Sequence, residues 1–300
     1  MKEANEMFEN YVGQDHIKKM LGSLIEYHKI APEALQHTLI TGASGLGKTR
    51  IANEIANVLG TNFVPLLATT ATESDLIKAV CSLKDKDLLF LDELQSANKK
   101  FIELLFPIMA EGLLYVQYHG TMRAFRVSKF TIIGATDRPG LLNPALLNRF
   151  QLTLNLKPYT TEEFVKLIKL HTNGININDD LCVKISKLCK GIPRILINIL
   201  GSIKIYLKSV HKNTLEDCDL ETVKEFLGID SLGLDHIDLT ILKYLSQSKM
   251  SLKNLANVCG CLATNIENLH EPYLIQLGFI ECGAGGRSIT QKGLDYLKRI

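Results

Sequence analysis

The sequence predicts an α/β protein: a parallel-sheet core carrying a phosphate-binding loop, then a helical lid and a C-terminal winged helix. Three observations carry that expectation. Leu39-Ile40 runs into the glycine-rich stretch Thr41–Thr49 and then into Arg50–Ala56, whose apolar residues recur at helical spacing. Two more apolar runs, Asp87–Leu91 and Phe130–Ala135, end in polar residues, as buried parallel strands do where their carboxyl ends face a ligand. Near the end of the chain, three helical periodicities precede a strand, a glycine turn and a second strand.

Each element has a local reason. Gly42, Gly45 and Gly47 let the backbone wrap with its N–H groups pointing inward, and the following helix N-terminus adds positive potential for a phosphate. Lys48 is placed to reach the β- and γ-phosphates, and Thr49 to hold Mg²⁺. The whole loop, Gly42-Ala43-Ser44-Gly45-Leu46-Gly47-Lys48-Thr49 with Arg50 behind it, is therefore the expected nucleoside-triphosphate site. Asp92 and Glu93 close the second strand. A metal carboxylate suffices for binding, whereas the adjacent Glu93 adds a general base for water, which favours hydrolysis. Thr136 ends the third strand, either as a hydrogen-bonding cap or as a sensor of the γ-phosphate. Arg149, within Asn148-Arg149-Phe150, is either a surface arginine or a finger that enters a neighbouring subunit's site.

Leu113–Val127 alternates with a period of two about His119-Gly120-Thr121, which predicts a hairpin. Thr160-Thr161-Glu162-Glu163 reads as a capped helix start. Helices are expected over Phe164–His171, Asp179–Cys189, Arg194–Val210 and Leu220–Leu227, forming the lid. Leu239–Leu245, Ser251–Val258 and Ala263–Leu277 supply the helices of the winged domain, with Ser251 and Thr264 near helix starts. Domain boundaries are expected at 1–157, 158–228 and 229–300.

Composition bounds the function. Three hundred residues at 46% hydrophobic content supply cores for two or three domains. A net charge of +2 leaves nucleic-acid binding to local patches. Seven scattered cysteines fit a reducing, cytoplasmic interior, and Cys259-Gly260-Cys261 lacks a second pair at zinc spacing. The polar N-terminus lacks a signal-peptide core, and no run of eighteen apolar residues exists to span a membrane. From Ile229 onward seven Lys/Arg balance seven Asp/Glu. A neutral winged helix binds either DNA or protein.

The order of these motifs resembles the AAA+ ATPases, and among them the RuvB family of Holliday-junction branch-migration motors. The phosphate loop, Leu91-Asp92-Glu93, Gly134-Ala135-Thr136, Asn148-Arg149-Phe150 and Gly191-Ile192-Pro193-Arg194 carry the superfamily likeness. Glu271-Pro272-Tyr273-Leu274-Ile275-Gln276 carries the narrower one. The resemblance implies an ATPase that uses ATP and Mg²⁺, held by Thr49 and Asp92, with Glu93 polarising water and Thr136 as first sensor. It implies that Arg149 acts in trans, that Arg194 reports nucleotide state to the lid, and that Tyr11, Val12 and Pro193 flank the adenine, with Arg138 supporting the subunit interface. It further implies a homo-oligomeric ring, a hexamer, on duplex or four-way-junction DNA, with Arg287 and Lys292 as DNA contacts. Hairpin 113–127 is then either the docking site of a RuvA-like partner or an ordinary surface hairpin; its tip is shorter and more polar than the family's. Ser246–Met250 also departs from the family's glycine-rich turn. The alternative reading is an ATPase switch that loads a clamp or helicase or regulates a recombinase.

Overall fold

The computed structural model describes residues 7–9, 11–30, 33–172 and 174–300. They fall into two compact units, Met1–Tyr159 and Thr160–Ile300. The first unit opens with α1 (Asp15–Ile30) and is built on β1 (Thr38–Thr41), β2 (Phe63–Leu67), β3 (Leu88–Asp92), β6 (Thr131–Thr136) and β7 (Leu152–Asn155). These five strands form one parallel sheet in the order β2-β3-β6-β1-β7. The three central strands are those the sequence predicts, because they are continuous apolar runs buried on both faces. Neither edge strand is legible in the same way. Phe63–Leu67 contains Pro65, tolerated at an edge where the N–H that proline lacks has no ladder to serve, and Leu152–Asn155 alternates apolar and polar residues over four positions instead of forming a continuous apolar run.

Register decides what the sheet presents. Thr41 pairs with Thr136, Leu67 with Asp92, and Leu91 with Gly134. The ends of β1, β3 and β6 therefore lie side by side along one rim. Helix α2 (Lys48–Leu59) leaves this rim and buries Ile51, Ala52, Ile55 and Ala56. Each isoleucine contributes about 1.5–3 kcal/mol by leaving water. Gly60, in the left-handed conformation, ends the helix by donating its N–H to Ala56 and Asn57 carbonyls. Helices α3 (Glu73–Ser82) and α4 (Lys99–Glu111) pack on the sheet, with Leu76, Phe101 and Leu105 fully buried among Leu89, Leu91 and Ile132. A short helix α5 (Pro144–Leu147) precedes β7.

β4 (Leu113–Tyr118) and β5 (Thr121–Arg126) form a separate antiparallel pair, as the alternation predicts. His119 and Gly120 both take positive φ, 47° and 77°, the backbone a two-residue turn needs to match strand twist. All of β5 is exposed, including Met122 and Phe125.

The second unit contains both the expected lid and the expected winged helix. α6 (Thr161–His171) begins in a capping box between Thr160 and Glu163. α7 (Asp179–Leu188), α8 (Pro193–Ser209) and α9 (Asp217–Leu227) follow, then α10 (His236–Gln247) and α11 (Leu252–Cys259). The single helix expected over Ala263–Leu277 is divided into α12 (Ala263–Asn265), a π turn over Ile266–His270, and α13 (Glu271–Gln276). Pro272 is the physical cause: it has no N–H for the Asn268 carbonyl, and its ring crowds the preceding turn. One extra residue per turn absorbs this, and the Glu271 N–H reaches back to the Ile266 carbonyl. Leu262 precedes α12, and Thr264 lies in its first turn, near the start as expected.

β8 (Ile280–Gly283) and β9 (Gly286–Ile289) make the wing, and α14 (Gln291–Leu297) closes the unit. Met250, at the end of the stretch that departs from the family, pairs through both backbone groups with Arg287. Gly286 makes that possible: a Cβ there would lie 2.4 Å from the Met250 carbonyl oxygen.

A buried ionic node joins the α7–α8 turn to the winged helix. Lys190, at φ 52°, bonds Asp238, which is 0% exposed, and His270 Nδ1 lies 2.8 Å from the other Asp238 oxygen. The Asp235 N–H donates to Asp238 at 3.0 Å. Burial alone would raise the Asp238 carboxyl, but the His270 hydrogen bond and the Lys190 charge hold it below the ordinary carboxylate value.

Candidate functional site

The rim where β1, β3 and β6 end is where the predicted chemistry gathers. Gly42 (φ 145°), Gly45 (φ 84°) and Gly47 (φ 97°) all adopt backbone conformations unfavourable to side chains. Gly42 is also sterically required, because a Cβ would sit 3.0 Å from Leu156 Cβ and from the Leu156 carbonyl oxygen. The loop wraps onto the first turn of α2, and Leu46, 1% exposed, anchors it to the core. Ala43, Ser44 and Arg50 are exposed. Lys48 Nζ donates to the carbonyls of Gly42 at 2.8 Å and Ala43 at 3.2 Å, so the ammonium lies at the mouth of the loop.

Tyr11 lies against this loop, and Val12 beside it is held by Tyr159. Tyr11 is buried, and its phenol lies 3.4 Å from the position of a Cβ at Gly47. The Tyr159 hydroxyl donates to the Val12 carbonyl at 2.9 Å. Gln14, held at φ 55°, clamps both backbone groups of Lys157, donating to the carbonyl at 2.6 Å and accepting the N–H at 3.0 Å.

The acids stand opposite the loop. Thr49 Oγ1 donates to Asp92 Oδ2 at 3.0 Å, so a hydroxyl and a carboxylate converge at the helix N-terminus. Hard oxygen donors beside a phosphate cradle are what Mg²⁺ takes when it also binds phosphate, and these residues fit that ion. Glu93 is exposed and in the left-handed region (φ 52°), with its carboxylate accepting from the Thr69 hydroxyl at 3.1 Å. Such backbone costs about 1–3 kcal/mol and is found where a side chain must be aimed. Thr136 is 0% exposed and donates to Gln95 Oε1 at 2.7 Å.

Arg149 Nη1 donates to the Ala145 carbonyl at 2.6 Å, and its guanidinium stacks 4.2 Å from the centre of the Phe106 ring. The neighbouring Phe150 is buried against β6, in a slot that exists because residue 134 is glycine. Arg138 lies 3.5 Å from Asp137.

Comparison with known proteins identifies the family. The family model described as the Holliday junction DNA helicase RuvB P-loop domain matches residues 4–156, and the RuvB C-terminal winged helix domain matches residues 231–298. The Holliday junction branch migration complex subunit RuvB of Fervidobacterium nodosum is 35% identical over 96% of this chain and 86% of its own length. The chain belongs to the RuvB family. The corresponding subunit of Thermosipho melanesiensis is 34% identical over 96% of this chain and 95% of its own. The solved Thermotoga maritima RuvB Holliday junction branch migration motor superposes with a TM-score of 0.87 at 32% identity, covering 97% of this chain and 96% of that one. The α/β P-loop core and winged helix are therefore those of the RuvB family.

In this RuvB-family chain, Pro193 and Arg194 open α8, with Pro193 at its first position and Arg194 exposed. The two residues expected at DNA are engaged within their own unit. Arg287 is held by Glu271 through two bonds, Nε to Oε2 at 2.9 Å and Nη2 to Oε1 at 3.2 Å. That hydrogen bond raises the guanidinium pKa further, so it stays charged. Lys292 Nζ donates to the Leu277 carbonyl at 2.8 Å and lies over the Phe279 ring. The partner for Arg287 comes from α13, sixteen residues back, a distance no local pattern discloses.

Four residues have roles at the site that the sequence does not disclose: Gln14 as a clamp, Thr69 beside Glu93, Gln95 beside Thr136, and Gly134 as the floor of the slot that holds Phe150. Thr69 follows the edge strand that the sequence does not reveal, and the other three act on partners far along the chain.

Proposed function

We propose that this chain is an ATP-driven DNA motor that branch-migrates four-way junctions. The convergence of Thr49 and Asp92 at 3.0 Å beside the glycine cradle, in a chain of this family, carries the reading. Loop residues 42–49 and Arg50 bind the phosphates, Thr49 and Asp92 hold Mg²⁺, and Tyr11, Val12 and Pro193 flank the adenine. When bound, Mg²⁺ neutralises charge that develops on the transferred phosphoryl group. Glu93 accepts a proton from the attacking water, and Thr136 orients it. Arg149 enters the neighbouring protomer's site, an effect worth about 10³–10⁵ in rate where it operates. Arg194 conveys nucleotide state to a lid at 158–228, between a core at 1–157 and a winged helix at 229–300. Protomers form a ring, a hexamer, working in the cytoplasm, and hairpin 113–127, with exposed Met122 and Phe125, receives a RuvA-like partner. Among the described residues no helix is long and apolar enough to cross a membrane.

Arg287 reaches DNA by exchanging Glu271 for a backbone phosphate, a contact that carries no base information. One mixing experiment tests the motor. Arg149→Ala and Glu93→Gln proteins are each inactive alone, and mixing them restores junction-stimulated ATPase activity, because each supplies what the other lacks. Mixtures as inactive as the parents would overturn a site shared between protomers. Wild-type turnover indifferent to DNA would favour the clamp- or helicase-loading switch.

A further inference from the structure

Behind the acids, one side chain holds the end of β6. Thr136 has a single hydroxyl proton, and it goes to Gln95 Oε1 at 2.7 Å while the oxygen accepts the Arg138 N–H at 3.1 Å. The other end of the same carboxamide donates to Asp137 Oδ1 at 2.9 Å, and Asp137 in turn pairs with Arg138 at 3.5 Å. The polarity is fixed by its neighbours. Thr136 accepts from a backbone N–H and so gives its proton away, and Asp137 only accepts. Gln95 reaches this place because Glu93 takes positive φ, which reverses the chain into the 3₁₀ turn Leu94–Ser96 and aims Gln95 back at β6. Thr136 is level with Thr41, which opens the phosphate loop, in the strand between β3 and β1.

While Gln95 takes that proton, Thr136 cannot donate to a phosphoryl oxygen. We propose that Gln95 is a positioning residue for the hydrolysis put forward above, an inference that rests on that reading. It holds the Thr136 hydroxyl when no γ-phosphoryl group is present and yields it when one arrives. It also passes the change through Asp137 to Arg138. No bond to substrate is involved; Gln95 acts only through Thr136 and Asp137.

The full chain tests this with three variants, read by steady-state ATPase kinetics, by equilibrium binding of a fluorescent non-hydrolysable ATP analogue and of ADP, and by thermal melting. Gln95→Leu is expected to lower kcat about tenfold or more, with KM within threefold, and to narrow the preference for the ATP analogue over ADP. Gln95→Glu keeps the acceptor for Thr136 but sets a carboxylate against Asp137, and is expected to lose as much. Adding Asp137→Asn to Gln95→Glu restores a donor–acceptor pair with reversed polarity and is expected to recover kcat. All three should melt within about 3 °C of wild type. Single variants within twofold of wild type in kcat, with an unchanged ATP-to-ADP preference, would overturn the proposal, as would a double variant that does not recover. If the wild type splits no ATP, the functional reading falls, and the analogue-to-ADP preference alone then decides for or against Gln95.

Discussion

Replacing Gly134 by alanine puts a methyl group into a slot that two other side chains fill. A Cβ at this position would lie 2.8 Å from Leu94 Cδ2, 2.9 Å from Phe150 Cζ and 3.3 Å from Phe150 Cε1. Carbon atoms rest at about 3.5–4.0 Å, so Leu94 and Phe150 must each retreat by roughly 0.7 Å. Both are buried, at 1% and 7% exposure, within one hydrophobic core cluster, so neither can swing out into solvent. Overpacking of this kind costs about 1–3 kcal/mol, and two simultaneous clashes place Gly134→Ala at about 2–3 kcal/mol. Phe150 carries Arg149 on the preceding peptide unit, so its displacement also moves the arginine. A misplacement near 1 Å costs on the order of 10² in rate, and a shift of this size is expected to lower kcat by about tenfold or more. The loop, on β1, should keep nucleotide affinity within a few-fold. Urea denaturation and steady-state ATPase assays check both halves, and Gly134→Ala/Phe150→Leu should regain part of the stability. An unchanged urea midpoint would refute the packing argument. A destabilised variant with full turnover would refute the link from Phe150 to Arg149.

Three further outcomes follow from the structure. His37 accepts the Ile132 N–H on Nδ1 at 3.0 Å and hydrogen-bonds the Met109 backbone; burial pushes its pKa down to about 4 despite that second bond. The neutral ring is the folded form, so its contribution is complete above pH 6.5 and is lost as pH falls toward 4, amounting to about 2 kcal/mol by pH 5. Thermal melts from pH 7.5 to 5 should show this loss, diminished in His37→Asn, and identical slopes in the two proteins would count against it. Lys190→Met takes the lysine charge from the buried Asp238 carboxylate and leaves it to His270 and the Asp235 N–H, which is expected to cost about 3 kcal/mol, with Lys190→Met/Asp238→Asn recovering part; a loss below 1 kcal/mol in calorimetry would show that water reaches the node. Gly286→Ala forces a methyl against the Met250 carbonyl at 2.4 Å and is expected to unpair Met250 from Arg287, visible as rapid amide hydrogen exchange at both residues; continued protection there would contradict it.

What can be read in the chain is what contiguous residues specify. The glycine loop, the Asp92-Glu93 pair, the buried strands β1, β3 and β6, the hairpin turn at His119-Gly120 and the Thr160 capping box are each written within a few residues. Each follows from backbone sterics, burial on both faces, or a cap bonding three residues ahead, all of which act at short range. Tertiary structure decided which side chains meet. Gln14 holds Lys157 across 143 positions, Gln95 holds Thr136 across 41, and Gly134 admits Phe150, because strand order β2-β3-β6-β1-β7 sets neighbours that chain order does not. The same holds for Arg287. Its charge is evident from the residue alone, but whether that charge faces solvent depends on Glu271, which the π turn at Pro272 and the fold of the wing bring within 2.9 Å.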